Sequence, residues 1–289
     1  MKETLKNNLI IESENLLALQ YLLVDYAGKI DVIPIDPPYN TDINYIGYKD
    51  SNFENGWNVF MRSRLELAYK LLSKTGVMFI NIDENEMFNL KKLCDRIFGA
   101  ENISILIWKK VNDKFDVNRI EKPLKNIRIA HEYVFVCYKN KEKTTFNNIL
   151  QPVFCQESFV DMPRPMETVL DNFGTTSSAK DEVAELIGSR DKFSTPKPVR
   201  LIKEFIRATS NKNSIILDFF AGSGTTGHAS MDLNKEDNGN RKFILITNNE
   251  NNICENVTIP RIMNSIKFNC YNETVEIVIS LKQKSTIKF

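Results

Sequence analysis

The chain has 289 residues and a formal net charge of +1, with 42% hydrophobic and 26% charged residues. This composition is typical of a globular protein, excludes disorder as the main state, and allows one large α/β domain. Nowhere do about 18 apolar residues follow one another, and the N-terminus lacks signal-peptide features, so we expect no membrane partner. Five scattered cysteines without a CxxC pair, and two histidines, argue against disulfides and a metal site and favour a cytoplasmic location.

Apolar runs typical of buried strands alternate along the chain with stretches of helical periodicity. This alternation predicts a mostly parallel sheet covered by helices. In chain order we predict a strand at 8–11, a helix at 15–26, a strand at 30–35, a helix at 57–72 ending in a turn at 73–76, a strand at 77–82, a helix at 86–98, strands at 103–108 and 132–138, a helix at 198–208, a strand at 214–220, a loop at 221–227 followed by a helix through about 231, and strands at 242–247 and 275–281. Residues 140–194 lack periodicity and contain prolines, so we predict an irregular linker or small insert there.

One stretch of the chain is strongly basic. Residues 109–143 contain ten Lys and Arg against five Asp and Glu, a net +5 that leaves the rest at −4. Such a patch suits a polyanion, although a solvated face is the alternative. The candidate phosphate-binding residues are Lys109, Lys110, Lys114, Arg119, Lys122, Lys125 and Arg128.

The first loop that carries candidate catalytic residues is Asp-Pro-Pro-Tyr-Asn-Thr at 36–41, directly after a predicted buried strand. Ligand crevices of open α/β sheets lie at such strand ends. The carboxylate of Asp36 and the carbonyl of Pro37, held rigid by Pro38, could accept both hydrogens of an exocyclic amine, while Tyr39 stacks on the attached ring. A turn with a capping Asp and a core Tyr is the alternative.

The second loop joins a strand to a helix and reads Asp-Phe-Phe-Ala-Gly-Ser-Gly-Thr-Thr-Gly at 218–227. Its glycines match GxGxxG spacing, which allows a ligand to approach the backbone and the helix N-terminus. Asp218 precedes the loop and is well placed for a cationic amino group, whereas a dinucleotide fold carries its acid at the next strand. A tight strand–helix connection is the alternative.

Together, the two loops resemble the amino-methyltransferases that modify DNA with S-adenosylmethionine. Their order, with Asp-Pro-Pro-Tyr first, is similar to the circularly permuted β group. Further segments resemble the modification subunit of type III restriction systems, and the resemblance covers about residues 8–138 and 172–265. These segments are 14–19, 29–41, 76–86, 107–110, 131–136, 174–180 and 195–199.

The resemblance implies an α/β, Rossmann-like methyltransferase fold with permuted motif order and a mostly parallel sheet, S-adenosyl-L-methionine as cofactor, and methyl transfer to adenine N6 in DNA. It assigns catalysis to Asp36, Pro37, Pro38 and Tyr39 without a metal. The implied cofactor-binding residues are Asp218, Phe219, Ala221, Gly222, Ser223, Gly224, Thr225, Thr195, Lys197, Glu14 and Glu250. Asp rather than Ser before Pro-Pro favours adenine N6 over cytosine N4, through the resemblance alone.

The resemblance also implies an organisation of the chain. Residues 1–139 form the catalytic half, 140–193 a short insert that is a reduced target-recognition region, and 194–289 the cofactor-binding half and tail. Modification subunits are commonly about twice as long, with a larger recognition insert. The implied partners are DNA, a restriction subunit and a second copy of the chain.

Three other functions stay open at this point. A nicotinamide or flavin oxidoreductase would use the glycine loop but leave Asp-Pro-Pro-Tyr unexplained. A DNA-binding accessory protein would bind DNA without methyl transfer. An enzyme that methylates RNA or protein could carry a similar Pro-Pro-Tyr loop.

Overall fold

The computed structural model describes residues 5–41, 44–45, 48–49, 53, 56–111, 127–155, 158–279 and 285–288. Its strands are β1 (Asn8–Glu12), β2 (Ile30–Ile35), β3 (Asn44–Tyr45), β4 (Tyr48–Lys49), β5 (Leu72–Ile82), β6 (Ile103–Lys109), β7 (His131–Tyr138), β8 (Ile149–Cys155), β9 (Ser158–Arg164), β10 (Val169–Leu170), β11 (Ile215–Asp218), β12 (Lys242–Thr247), β13 (Val275–Ile279) and β14 (Ser285–Lys288). Its α-helices are α1 (Asn15–Tyr26), α2 (Trp57–Leu71), α3 (Met87–Phe98), α4 (Thr176–Ile187), α5 (Val199–Thr209), α6 (Thr225–Asp237) and α7 (Ile259–Asn269).

Ten strands form one sheet in the order β10–β6–β7–β5–β2–β11–β12–β1–β13–β14. Neighbours pair in parallel except where β7 lies between β6 and β5 and where β14 pairs with β13. The sequence prediction of a mostly parallel sheet is therefore confirmed. Its central strands are buried on both faces, which explains their continuous apolar runs.

Helices cover both faces of the sheet. Alternate residues of β2 point to opposite faces: Ile33 packs with α1, α2 and α3, whereas Val32 packs with α5, α6 and α7. Every helix in the described part of the chain is too short or too polar to cross a bilayer.

The predicted irregular insert is wrong, because residues 140–194 contain regular structure. Strands β8 and β9 form a separate antiparallel hairpin, β10 extends the main sheet, and α4 follows. The sequence did not predict these strands because each contains a proline, which is disfavoured inside strands. The capping box of Thr175 and Ser178, by contrast, is a local start signal for α4.

Further elements differ from the prediction: β11 ends at Asp218 rather than at residue 220, and α6 continues to Asp237 rather than to about residue 231. The predicted turn at 73–76 lies inside β5, where Ser73 Oγ donates a hydrogen bond of 3.0 Å to Asp31 of the neighbouring strand. Between the predicted strands at 242–247 and 275–281, where we predict no helix, the structure contains α7, with buried Ile262 on its inner side. A Pro in its first turn suits a helix start, and Arg261, also buried, interrupts the apolar pattern.

Candidate active site

The Asp-Pro-Pro-Tyr loop and the glycine loop follow neighbouring strands at the same edge of the sheet. Strands β2 and β11 are parallel and adjacent, with Ile216 opposite Val32. Asp36 directly follows β2, and Asp218 is the last residue of β11. Since parallel strands end at one edge, both carboxylates lie at the carboxyl edge, where open α/β sheets bind ligands.

The Asp-Pro-Pro-Tyr loop is fixed by hydrogen bonds at both ends. Tyr39 Oη lies 2.6 Å from Asp36 Oδ1 and 3.0 Å from Glu132 Oε2, and Trp57 Nε1 donates to the Pro38 carbonyl at 2.7 Å. Asn40, with a positive φ of 56°, donates to Glu86 at 2.7 Å. The loop is therefore preorganised, and the bond from Trp57 occupies the Pro38 carbonyl rather than that of Pro37.

Lys197 joins the loop to a second buried carboxylate. Its Nζ lies 2.7 Å from Asp36 Oδ2 and 3.4 Å from Glu132 Oε2, and Lys110 Nζ lies 3.2 Å from Glu132 Oε1. Lys197 and Glu132 are both 7% exposed. Two carboxylates thus balance two ammonium groups, which is how buried charges are tolerated.

Burial and these charges set the protonation of the group. Burial raises the pKa of Asp36, against the opposing effect of Lys197. Burial would also raise the pKa of Glu132, but Lys197 and Lys110 outweigh it and hold that pKa below its usual range. Burial and both carboxylates raise the pKa of Tyr39 well above its usual value, so its hydroxyl keeps its proton.

The glycine loop turns sharply beneath Asp218. Gly222 and Gly224 have φ values of +48° and +81°, a region that favours glycine. Asp218 accepts hydrogen bonds from Thr226 Oγ1 at 2.6 Å and from the Phe220 N–H at 3.0 Å. Burial nevertheless raises the pKa of Asp218 to about 7. This carboxylate is thus poised to gain a cationic partner.

A cavity of about 470 Å³ joins the two loops, a size within the range of small-molecule sites. Most predicted cofactor-binding residues line it, together with two of the four predicted catalytic residues. These are Glu14, Thr195, Lys197, Asp218, Phe219, Ala221, Gly222, Ser223, Thr225, Glu250, Asp36 and Pro38. Gly224, Pro37 and Tyr39 are absent from this lining, although they belong to the same loops.

Glu14 and Glu250, the two acidic cofactor-binding candidates outside the glycine loop, both lie at the cavity. Glu14 caps α1 by accepting a hydrogen bond of 3.1 Å from the Leu17 N–H, and it also pairs with Arg64. Arg64 in turn stacks over Phe60, with its guanidinium 3.6 Å from the ring centre. Glu250 follows β12 and borders the same space.

The basic candidates divide between the site and its surroundings. Lys110 points to Glu132, as described, whereas Lys109 pairs with Asp171 at 3.4 Å and is 40% exposed. Arg128 is half-buried. Lys114, Arg119, Lys122 and Lys125 lie outside the described residues.

Sequence reasoning missed Glu132, Arg64 and Trp57 as residues of the site. Glu132 lies at the start of β7 and Arg64 within α2, so neither belongs to a local loop motif. The only signal was indirect, because Glu132 occurs in the His-Glu-Tyr run that contributed to the family resemblance.

Comparison with known proteins agrees with this geometry. The family model described as DNA methylase, for N6 and N4 methyltransferases, matches residues 30–259. The chain belongs to the DNA methylase family. The solved structures similar to this methylase share its fold. The complex of M1.HpyAVI with SAM has a TM-score of 0.52 at 18% identity and covers 87% of this chain and 98% of that one. PvuII DNA methyltransferase, cytosine-N4-specific, has a TM-score of 0.58 at 14% identity and covers 96% of both.

Curated relatives of the methylase include modification subunits. The type III enzyme StyLTI Mod subunit of Salmonella typhimurium is 28% identical, over 83% of this chain and 52% of the relative. The EcoPI Mod subunit of Escherichia phage P1 is 25% identical, over 84% and 58%. The type II methyltransferase M.KpnI of Klebsiella pneumoniae is 27% identical, over 82% and 79%. The chain thus spans little more than half the length of the StyLTI and EcoPI subunits.

Proposed function

We propose that this chain transfers a methyl group from S-adenosylmethionine to adenine N6 in DNA, as the catalytic part of a type III-like modification enzyme. The observation that carries the proposal is the shared cavity, lined by both Asp36 and the glycine loop after Asp218. A methyl donor seated on the glycine loop would then lie beside a group that can hold an exocyclic amine.

The residues of the cavity fit S-adenosylmethionine. Asp218, buried and with its pKa raised by burial to about 7, suits the cationic amino group, and the N-terminus of α6 with its hydroxyls suits the carboxylate. Phe60 and Phe220 offer an aromatic wall, and Glu250 could bind hydroxyl groups. Bound in this cavity, the cofactor would supply an electrophilic methyl group on a sulfonium.

Asp36 would position the nucleophile. The exocyclic amine of adenine is weakly nucleophilic because its lone pair is delocalised into the ring. The Asp36 carboxylate and the Pro37 carbonyl would each accept a hydrogen bond from N6 and direct its lone pair at the methyl group, so the gain comes mainly from orientation. N6 would form a bond to the methyl carbon as the carbon–sulfur bond breaks, S-adenosylhomocysteine would leave, and the Asp36 carboxylate would accept the proton that N6 loses. For this, the Lys197 ammonium must leave Asp36. Glu132 is the alternative partner of Lys197, since its Oε2 lies 3.4 Å from Lys197 Nζ.

The target base must leave the duplex to reach this cavity, at a cost of a few kcal/mol. Stacking on Tyr39 would offset part of that, by about 1–3 kcal/mol in comparable complexes. Adenine N6 rather than cytosine N4 rests on the Asp that precedes Pro-Pro. The StyLTI and EcoPI relatives are both type III Mod subunits, which supports a modification role.

The partners and organisation belong to the same proposal. DNA is the substrate, a restriction subunit and a second copy of the chain are the proposed protein partners, and the cytoplasm is the proposed location. Residues 140–193, which include the β8–β9 hairpin, would form the reduced target-recognition region between the two halves.

The test is expression in a host that lacks adenine methylation, followed by mass spectrometry of its DNA. We expect N6-methyladenine with the normal chain and none with Asp36→Ala. An Asp36→Ala protein that still methylates would contradict the role of Asp36. N4-methylcytosine would correct the target, and a folded chain that binds S-adenosylmethionine without methylating DNA would favour an accessory role.

A further inference from the structure

Behind the glycine loop lies a buried arginine that the proposed mechanism does not use. Arg261, in α7, has no exposed surface, and its Nη1 donates to Ser223 Oγ at 2.8 Å and to Thr225 Oγ1 at 2.9 Å. Its Nε and Nη2 make no hydrogen bond within the described part of the chain. Glu182, at 3.6 Å from Nη2, only partly balances its charge.

Burying a guanidinium in this way destabilises the fold, because ion pairs and hydrogen bonds compensate the loss of its hydration only in part. Burial lowers the pKa of Arg261 to about 10, so the group remains a cation at neutral pH. The neighbouring His228 contributes no charge there, because burial and Arg261 lower its pKa to about 4. The floor of the glycine loop therefore carries a positive charge.

The hydroxyl groups of Ser223 and Thr225 lie between this charge and the cavity, and Arg261 sets their orientation. Because Arg261 Nη1 donates to both hydroxyl oxygens, the hydroxyl hydrogens must point elsewhere. That of Thr225 reaches the Lys197 carbonyl at 3.2 Å. That of Ser223 has Thr225 Oγ1 at 3.3 Å as its acceptor, and it would turn from there to an acceptor in the cavity, which both residues line.

We infer that Arg261 is a positioning residue for the carboxylate of the cofactor's methionine end, acting through the hydroxyls of Ser223 and Thr225. This inference rests on the proposed use of S-adenosylmethionine. The carboxylate belongs at this end because the first N–H groups of α6 and the Arg261 charge converge there. The nearby Lys197 ammonium is already paired with Asp36 and Glu132.

The experiment compares S-adenosylmethionine with decarboxylated S-adenosylmethionine, which keeps the sulfonium and the amino group and lacks only the carboxylate. Binding of each is measured by calorimetry on the full chain. We expect Arg261→Met to weaken S-adenosylmethionine about tenfold or more, the usual scale for a charge-assisted contact, and decarboxylated S-adenosylmethionine by less than about twofold. Arg261→Lys, which keeps the charge, should retain part of the preference.

The matched control is Arg241→Met. Arg241 is also buried, at 3% exposure, but it pairs with Asp237 and Ser210 away from the cavity. This variant should leave the ratio of the two affinities unchanged even if it lowers the melting temperature. If Arg261→Met does not fold, Arg261→Lys and Ser223→Ala carry the test, and both should lower the same ratio.

The inference would be overturned if the folded Arg261 and Ser223 variants kept the wild-type ratio of the two affinities, either because neither ligand binds more weakly or because both lose affinity equally. A wild-type chain that binds neither ligand would instead contradict the proposed cofactor. The two failures are therefore distinguishable.

Discussion

At the residue scale, Asp218 is the group whose titration should be visible in solution. Burial raises its pKa to about 7, so near neutral pH only part of the free protein holds the carboxylate that a cationic amino group needs. Ionisation increases as pH rises, and affinity should increase with it. Between pH 6 and pH 8 we expect S-adenosylhomocysteine to bind about tenfold more tightly, in proportion to the ionised fraction.

Calorimetry across this pH range measures the effect. The Asp218→Asn side chain cannot titrate. This variant should bind S-adenosylhomocysteine weakly at every pH, and its affinity should not rise between pH 6 and pH 8. A slope that survives in Asp218→Asn would assign the titration to another group.

The role of Glu132 gives a second prediction at this scale. Glu132→Gln removes the carboxylate that can take Lys197 from Asp36, so the ammonium should stay on Asp36 and compete with the target amine. We expect single-turnover methyl transfer to fall about tenfold or more, while the affinity for S-adenosylhomocysteine changes by less than about twofold.

A matched control is Glu66→Gln, which breaks an exposed pair with Arg62 and should leave both quantities unchanged. Normal transfer in Glu132→Gln would show that Lys197 leaves Asp36 without this second carboxylate.

At the element scale, the sequence predicts best where one local signal decides the structure. Strands β2 and β12 and helix α1 begin and end at the predicted residues, because apolar runs or helical periodicity stop at clear boundaries. The hairpin of β8 and β9 was missed because each strand contains a proline and because β8 carries apolar side chains, such as the exposed Phe154, on both faces. The sequence therefore lacks the alternation of apolar and polar residues on which strand prediction depends.

The site shows the same division. Its two loops are continuous in sequence and could be predicted, whereas Glu132, Arg64 and Arg261 reach the site from separate elements. Single charged residues inside a strand or helix carry no local pattern, so only tertiary packing reveals their role.

The β8–β9 hairpin provides a prediction at this scale. It is tied to the core at few points, such as the hydrogen bond of 2.8 Å from the Leu150 N–H to Glu204 and the pair of Arg200 with Asp161. Replacing 151–163 by a short Gly-Ser turn should therefore leave the fold and S-adenosylhomocysteine binding nearly intact. If 140–193 is the target-recognition region, DNA methylation should be lost.

Circular dichroism, calorimetry and DNA mass spectrometry on this variant separate the outcomes. Methylation that persists at a normal level and at the same sequence would remove the hairpin from the recognition region.

At the scale of the whole molecule, both ends of the basic connection between β6 and β7 lie at the edge of the sheet that holds the cavity. Strand β6 runs in the same direction as β2, so Lys109 at its end lies at the edge of the sheet that holds the site. The Lys110 N–H then donates to the Ala130 carbonyl at 3.0 Å, which closes the β6–β7 connection at that edge. The basic stretch thus leaves and rejoins the sheet beside the cavity, where DNA would bind.

This arrangement predicts the salt dependence of DNA binding. The test variant replaces four basic residues of this stretch by Ala, namely Lys114, Arg119, Lys122 and Lys125. The slope of the logarithm of the DNA-binding constant against the logarithm of salt concentration should become shallower by about 0.9 for each phosphate that these side chains neutralise, or by about 3 to 4 in all. The control replaces four lysines near the opposite edge, at the starts of the strands, by Ala. These are Lys29, Lys70, Lys74 and Lys212. An equal decrease of net charge should barely change the slope there, because only phosphates that touch the protein release counterions. The same slope change in both variants would mean that DNA responds to total charge, and the basic stretch would no longer be the segment that binds DNA.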